Sequence, residues 1–224
     1  MLLRRAFAEL LGSAFLAAAV VGSGIMASRL TEDPGLRLLE NSTATGAVLV
    51  ALILALSPVS AAFNPVVTLV ERALGAITWR EAATFIAAQV IGCSLGVVVA
   101  NLMFELDPVT LSSTSRGGSG QLLAEVVATL GLVLVVFGVA RTRRTAVPFA
   151  VGGYIAAAYW FTSSTSFANP AITIGRTLTA TFAGIDPSCV AAFIGMQLVG
   201  GALGYGAVRL LYPDAHDIAE ELSA

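Results

Sequence analysis

The sequence predicts an all-α integral membrane protein in which six transmembrane helices and two half-length helices form an inverted repeat. Three observations predict it: the composition, two Asn-Pro pairs inside apolar stretches, and an internal repeat. Of 224 residues, 57% are hydrophobic and 12% are charged, whereas a soluble domain carries about 25% charged residues. Several apolar runs of the length that spans a bilayer lie end to end. The composition therefore excludes an ordinary soluble domain.

Apolar runs divide the chain into six predicted spans, near residues 6–28, 44–57, 82–104, 121–140, 146–163 and 187–211. The first run is too long for a cleaved signal peptide and further spans follow it, so we expect it to be retained. The second is short as drawn and is expected to begin earlier, in LRLLENSTATG. Two remaining apolar pieces, about 64–75 and 169–180, are too short to span, and each begins at Asn-Pro.

The basic residues, all arginine, favour one orientation of these spans. With the N-terminus in the cytoplasm, eight arginines lie inside and four lie outside, which agrees with the positive-inside bias. We therefore expect both termini in the cytoplasm. The RTRR segment at 141–144 is interpreted as a loop anchor, with an anionic-lipid site as the alternative. A net charge of −2 and the lack of a basic patch give no indication of a nucleic-acid partner.

An internal repeat relates the two halves of the chain. FIAAQVIGCSLGVVVA, at 85–100, aligns with FIGMQLVGGALGYGAV, at 193–208. Matching positions include Gln89 with Gln197, Gly96 with Gly204 and, in a looser match between the first spans of the halves, Glu9 with Glu125. Three spans per half force opposite orientations, a plan common in transport proteins. We predict one membrane domain over 1–224, with halves at about 1–110 and 111–212 and a short polar tail at 213–224.

The Asn-Pro pairs predict two re-entrant half-helices that begin near the bilayer midplane. Asn is a strong helix N-cap and Pro is favoured at the first helical position. Non-helical backbone at membrane depth must be buried in protein or line a wet cavity. Capping leaves the amide NH₂ groups of Asn64 and Asn169 facing the lumen, and the positive helix ends oppose protons and other cations. Two unrelated loop caps, the alternative, do not explain the symmetric positions.

The chain resembles the aquaporin, or major intrinsic protein, family in this plan and in its motifs. The matching residues are Asn64, Pro65 and Val66 in NPV, Asn169, Pro170 and Ala171 in NPA, and Glu9 and Glu125 in the first span of each half. The resemblance implies a right-handed bundle with one pore per subunit and a homotetramer. It also implies that the two glutamates brace the re-entrant loops. Proton transport by an intramembrane carboxylate is the alternative.

The selectivity filter departs from the pattern of the family. Most members have arginine after NPA, in one wall of the narrowest constriction, and here Ile172 stands there. By motif alignment, the other walls are predicted at Thr45, at Ala156 or Ala157, and at Thr165 or Ser166. A ring of small residues plus isoleucine predicts a permissive pore. Val66, in place of the usual alanine, is interpreted as a packing change.

Arg176 lies one helical turn beyond Ile172 on the same face. It could lean back and supply the missing guanidinium. Because that turn leads toward the outer mouth, we favour a role in the vestibule or in a salt bridge between helices.

YWFTSSTSFANPAITIGRTLTATFAGI, at 159–185, is similar to the aquaglyceroporin-like channels that accompany bacterial arsenic-resistance genes. The similarity implies passage of arsenous acid, with methylated arsenicals and glycerol as further solutes, in the bacterial cytoplasmic membrane. We expect small uncharged solutes and lipid as partners, and no cofactor or metal. A water- or glycerol-selective channel is the alternative.

Other classes of function have less support in the sequence. A secondary active transporter needs coupling residues at the midplane, where the chain offers only Glu9 and Glu125. A closed structural protein is a further alternative. No nucleophile, base and acid form an enzyme-like set, and His216 falls in the polar tail. Cys93 and Cys189 have no metal-like spacing and are interpreted as small buried residues.

Overall fold

The computed structural model describes residues 1–213, which form six long helices and two short ones. In chain order they are α1 (Leu2–Leu30), α2 (Pro34–Leu56), α3 (Pro65–Ala73), α4 (Trp79–Met103), α5 (Ser119–Thr142), α6 (Val147–Phe161), α7 (Pro170–Gly175) and α8 (Pro187–Leu211). Short 3₁₀ helices, Arg144–Ala146 and Arg176–Leu178, precede α6 and follow α7. The predicted all-α fold is confirmed. His216 lies outside the described residues.

Helix α2 begins at Pro34, which is ten residues before the apolar run at 44–57 and two residues before LRLLENSTATG, the segment in which its start was expected. Asp33 caps its N-terminus, accepting a hydrogen bond from the backbone N–H of Leu36 at 2.8 Å, and Pro34 occupies the first helical position. The polar residues that follow made this part resemble a loop. One of them, Asn41, is buried and donates from Nδ2 to the carbonyl oxygen of Val20 at 2.8 Å. Capping and inward-facing polar side chains therefore set this boundary.

Five of the described helices, α1, α2, α4, α5 and α8, are long and apolar enough to cross a membrane. Helix α6 has 15 residues, about 22 Å at the usual rise of an α-helix. The preceding 3₁₀ helix, Arg144–Ala146, adds about 6 Å. Together they approach the thickness of a hydrocarbon core, about 30 Å, so that α6 completes the six predicted spans.

Close helix pairs place the half-helices at the centre of the bundle. Helix α1 packs along α4 and α5 packs along α8, while both α3 and α7 contact α4 and α8. The α1–α4 contact depends on Gly96, because a Cβ at this position would overlap the carbonyl oxygen of Ala14. At Gly204, its counterpart in α8, an added Cβ would lie 2.7 Å from the Val133 Cβ of α5, which is also too close. Small residues at these crossings allow the backbones to approach.

Candidate functional site

The first motif is capped by its own asparagine and tied to the second half of the chain. Asn64 Oδ1 accepts a hydrogen bond from the backbone N–H of Val66 at 2.9 Å, which starts α3. Its Nδ2 donates to the carbonyl oxygen of Ala168 at 2.7 Å. One side chain therefore caps a half-helix and joins the two loops.

The second motif repeats this arrangement in the opposite direction. Asn169 Oδ1 accepts from the backbone N–H groups of Ala171 at 2.9 Å and Ile172 at 3.3 Å. Its Nδ2 donates to the carbonyl oxygen of Phe63 at 2.8 Å. Both amide NH₂ groups were predicted to face the lumen. The structure corrects this, because one N–H of each asparagine bonds the other half and only the second N–H remains.

A fully buried carboxylate holds the loop before the first motif. Glu9 Oε1 accepts hydrogen bonds from Ser60 Oγ at 2.6 Å and from the backbone N–H of Ala62 at 2.9 Å. Its Oε2 accepts from the backbone N–H of Phe63 at 2.7 Å and from Gln89 Nε2 at 2.8 Å. Buried carboxylates need such partners, so Glu9 and this loop stabilise each other.

Glu125 has the equivalent position in the second half. Its two oxygens accept from the backbone N–H groups of Phe167 at 3.0 Å and Ala168 at 2.9 Å. Gln197 Nε2 donates to Glu125 Oε2 at 2.6 Å. No role was predicted for Gln89 and Gln197, although their repetition in register was a signal for one.

The residues just before each asparagine have left-handed backbone conformations, with φ of 49° at Phe63 and 46° at Ala168. For residues with a Cβ this region costs roughly 1–2 kcal/mol. The backbone N–H of each of these two residues is bound by a buried glutamate, which offsets the cost. The conformation directs the two carbonyl oxygens to the opposite asparagines.

A cavity of about 150 Å³ runs past the two motifs. It is lined mainly by apolar side chains of α1, α2, α5 and α6, and Asn64 and Asn169 are among its polar groups. We call the end lined by Arg5, Glu71 and Ala76 the N-terminal mouth. The end beside Tyr159, Phe167 and Arg176 is the far mouth.

Three of the predicted filter residues line this cavity, namely Thr45, Ser166 and Ile172. Thr45 Oγ1 lies 3.3 Å from the hydroxyl of Tyr159. Ser166 Oγ is buried and has no hydrogen-bond partner within residues 1–213. Thr165 does not contribute to the lining and is partly exposed.

The predicted α6 positions, Ala156 and Ala157, are corrected by the structure. The lining residues of α6 near the far mouth are Ile155 and Tyr159 instead. Ala156 packs against Gly46 of α2, and Ala157 is exposed on the outside of the bundle. An error of one residue turns a side chain by about 100° around a helix. The side chains that α6 contributes to the wall are therefore larger than the predicted alanines, and one of them is aromatic.

Arg176 also lines the cavity and is only 3% exposed. Its Nε donates to the carbonyl oxygen of Ala183, and its guanidinium lies 3.5 Å from the centroid of the Phe167 ring. A role in the vestibule or in a salt bridge between helices was predicted for Arg176. Within residues 1–213 no carboxylate pairs with Arg176, so the salt bridge is not formed there. A guanidinium thus stands one turn beyond Ile172.

A second arginine holds the other side of this aromatic ring. The Arg116 guanidinium lies 5.0 Å from the Phe167 centroid, and its Nε donates to the carbonyl oxygen of Gly184 at 2.9 Å. Burial lowers the pKa of Arg116, but an arginine side chain stays protonated in proteins. The far mouth is therefore positively charged. Phe167, Tyr159 and Arg116 were not predicted to belong to the site, because no motif indicated them.

The unusual Val66 has a matching space in α8. A Cβ added to Gly201 would overlap Val66 Cγ1. Because Gly201 has no side chain, the space beside it accommodates the extra methyl groups of Val66.

Both predicted buried cysteines, Cys93 and Cys189, are free and buried, and Cys93 Sγ lies 3.6 Å from the carbonyl oxygen of Ser13.

Known proteins are similar to this chain in sequence and in fold. Residues 1–165 match the sequence model of the family described as Major intrinsic protein. Aquaglyceroporin AqpS of Rhizobium meliloti (strain 1021) is 47% identical over 223 residues, covering 99% of this chain and 96% of the relative. Aquaporin NIP1-1 of Zea mays is 28% identical, with 99% of this chain and 80% of that protein covered.

A solved structure, the aquaglyceroporin from Plasmodium falciparum, superposes with a TM-score of 0.79. The superposition covers 96% of this chain and 99% of the other. At 17% sequence identity, this similarity concerns the fold alone.

Proposed function

The chain belongs to the major intrinsic protein family, and from this premise we propose that it is a passive membrane channel for small uncharged solutes. The observation that carries the proposal is that Asn64 and Asn169 lie beside a mainly apolar cavity and that each donates a hydrogen bond to the loop that precedes the other. Each retains one N–H that is free to bond a passing oxygen atom. The proposed activity contains no catalytic step, and no cofactor or metal takes part.

Exclusion of cations follows from the same arrangement. The N-termini of α3 and α7 meet at the asparagines, and each carries about half a positive charge. A proton or metal cation that enters the lumen loses its hydration and meets this field, whereas a neutral solute does not. The lumen therefore favours neutral hydrogen-bonding molecules.

We propose arsenous acid as the principal solute, with methylated arsenicals and glycerol as further ones. Support comes from Ile172, whose hydrocarbon replaces the usual arginine next to the motif, and from the hydroxyl groups of Thr45 and Ser166 in the cavity wall. A compact trihydroxy molecule can exchange hydrogen bonds with these groups while it slides along the apolar wall. The aquaglyceroporin relative at 47% identity agrees with a solute larger than water.

A water- or glycerol-selective pore is the second candidate, and Arg176 favours it. Its guanidinium, with Tyr159 and Phe167, adds a polar and aromatic wall at the far mouth. Such a wall narrows the lumen and supplies fixed donors, both of which favour small solutes.

We place the channel in a bacterial cytoplasmic membrane, with both termini in the cytoplasm, as a homotetramer with one pore per subunit. The bacterial relative and the arginine distribution support the location and the orientation. The assembly is inferred from the family.

Stopped-flow swelling of proteoliposomes in an isosmotic gradient of arsenous acid at pH 7 tests the proposal. The same vesicles are measured with glycerol and, under a sucrose shock, with water. We expect swelling well above that of empty liposomes with arsenous acid. Flux of glycerol or of water without flux of arsenous acid would favour the second candidate. A flux that saturates or follows a proton gradient would identify a transporter, and no flux for any solute would contradict a channel.

A further inference from the structure

The far mouth contains two guanidinium groups that no carboxylate neutralises. Arg176 is 3% exposed and lines the cavity, and Arg116 contacts the same Phe167 ring. Within residues 1–213 neither arginine forms a salt bridge. Arginine is almost never fully buried unless it is paired. A negatively charged partner from outside the described chain would therefore stabilise this mouth.

The carboxylates of this region bind other donors. Glu125 is bound by two backbone N–H groups of the loop before the second motif and by Gln197. Asp186 caps α8, where its Oδ1 accepts from the backbone N–H and the hydroxyl of Ser188. Both carboxylates therefore leave the two guanidinium groups unneutralised.

Arg176 has free donors. Its Nε donates to the carbonyl oxygen of Ala183, and within residues 1–213 its Nη1 and Nη2 groups make no hydrogen bond. A guanidinium carries two N–H groups on each of these nitrogens. Because the side chain lines the cavity and is otherwise buried, these N–H groups are presented to whatever occupies the mouth.

A buried hydroxyl group lies in the same wall. Ser166 directly precedes Phe167, is 3% exposed and lines the cavity, and its Oγ has no partner within residues 1–213. Tyr159, whose hydroxyl lies 3.3 Å from Thr45 Oγ1, lines the cavity as well. Hydroxyl and guanidinium donors together suit an oxyanion. A neutral solute also offers acceptor oxygens, but it does not neutralise the charge.

From these contacts we propose that the far mouth binds a tetrahedral oxyanion such as phosphate, which blocks the lumen while it is bound. The block rests on the proposed channel, whereas the binding does not. Arginine recognises such anions through paired N–H groups. Past Ile172 the wall is mainly apolar, so an oxyanion that moves further loses the guanidinium and its remaining hydration. It therefore stays at the mouth and excludes neutral solutes.

The test has one readout of binding and one of block. Binding is followed as the rise in the thermal unfolding midpoint of the protein in detergent when sodium phosphate replaces sodium chloride at equal ionic strength. Block is followed as the rate of glycerol swelling of proteoliposomes with phosphate on both sides of the membrane, so that either orientation of the protein is exposed to it. Because these vesicles contain phospholipid throughout, an effect of added phosphate identifies the free anion.

The variants remove one donor at a time. Arg176→Gln removes the guanidinium. Ser166→Ala removes the unpartnered hydroxyl, and as the milder change it decides the test if Arg176→Gln does not fold. The control Arg37→Gln removes an arginine that pairs with Glu32 and does not line the cavity. Phosphate also stabilises proteins in general because it is excluded from their surface, and this effect is common to the parent and all variants.

We expect phosphate at roughly millimolar concentration to slow glycerol swelling of the parent about twofold, as half occupancy does at a dissociation constant of that order. Arg37→Gln should respond like the parent. Arg176→Gln should lose both the slowing and the additional rise in midpoint, and Ser166→Ala should need several times more phosphate for either.

An equal response of the parent, Arg176→Gln and Ser166→Ala to phosphate would overturn the inference, and so would a raised midpoint without slower swelling. A parent that passes no glycerol, but keeps a rise in midpoint that depends on Arg176, would instead contradict the proposed channel.

Discussion

Gln89 and Gln197 occupy the same position in the two halves and make the same pair of hydrogen bonds. Each Nε2 donates to a buried glutamate and to a threonine hydroxyl of the adjacent half-helix. Each long helix that ends a half is thereby joined to the first helix of that half and to its re-entrant segment. The positions of both motifs thus depend on polar contacts inside the bundle.

Neutralising either buried carboxylate should destabilise the protein. In Glu9→Gln or Glu125→Gln, one acceptor oxygen becomes an NH₂ group that faces N–H donors. Leaving such groups unsatisfied costs about 1–3 kcal/mol. We expect a lower midpoint of thermal unfolding in detergent and slower glycerol swelling for both variants. The control Glu105→Gln changes an exposed residue and should do neither. Full activity and stability of Glu9→Gln would show that the loop does not need its carboxylate.

The filter prediction concerns Ile172. Ile172→Arg would add a second guanidinium within one turn of Arg176, so the pore should become narrower and more positive. We expect swelling with glycerol and arsenous acid to fall more than water flux, and Ile172→Val to stay close to the parent. Equal large-solute flux in Ile172→Arg would mean that this residue does not form the constriction.

Tryptophan substitutions can test which side of α6 faces the lumen. Ile155→Trp would fill the cavity wall and should block glycerol swelling, because Ile155 lines the lumen. Ala157→Trp adds similar bulk on the exposed side of the same helix and should leave swelling unchanged. The opposite result would restore the α6 position predicted from the sequence.

The contact between Val66 and Gly201 gives a double-mutant test. Gly201→Ala places a methyl group where Val66 Cγ1 lies, and such overpacking costs about 1–3 kcal/mol. Val66→Ala in the same chain should restore the thermal midpoint, because it vacates that space. Gly206→Ala is the control, since a Cβ there has no neighbour within 4 Å. Additive effects of the two changes would contradict the packing argument.

Sequence reasoning predicted the features that depend on local chemistry. The Asn-Pro pairs predicted where α3 and α7 begin, since capping by asparagine and proline at the next position act within a few residues. The bounds predicted for the last span, 187–211, are those of α8. The start of α2, at Pro34, lies two residues before the segment in which it was expected, LRLLENSTATG at 36–46, because hydropathy alone does not distinguish buried polar residues such as Asn41 from a loop.

The sequence did not predict which side chains of α6 face the lumen, or where the loop residues of the far mouth lie. The choice between Ile155 and Ala156 requires the facing of α6 to be known to within one residue. The position of Phe167 between Arg176 and Arg116 requires the path of two loops. No pattern of hydrophobic residues contains that information.

The crossed asparagine bonds also bear on the order of events during synthesis. The acceptor for Asn64 is the carbonyl oxygen of Ala168, which leaves the ribosome only after most of the chain has been inserted. Until then the first re-entrant segment has no partner for this amide. The pore is therefore completed late in biogenesis, when the second half docks onto the first, and a nascent chain that stops before the second motif contains no finished lumen.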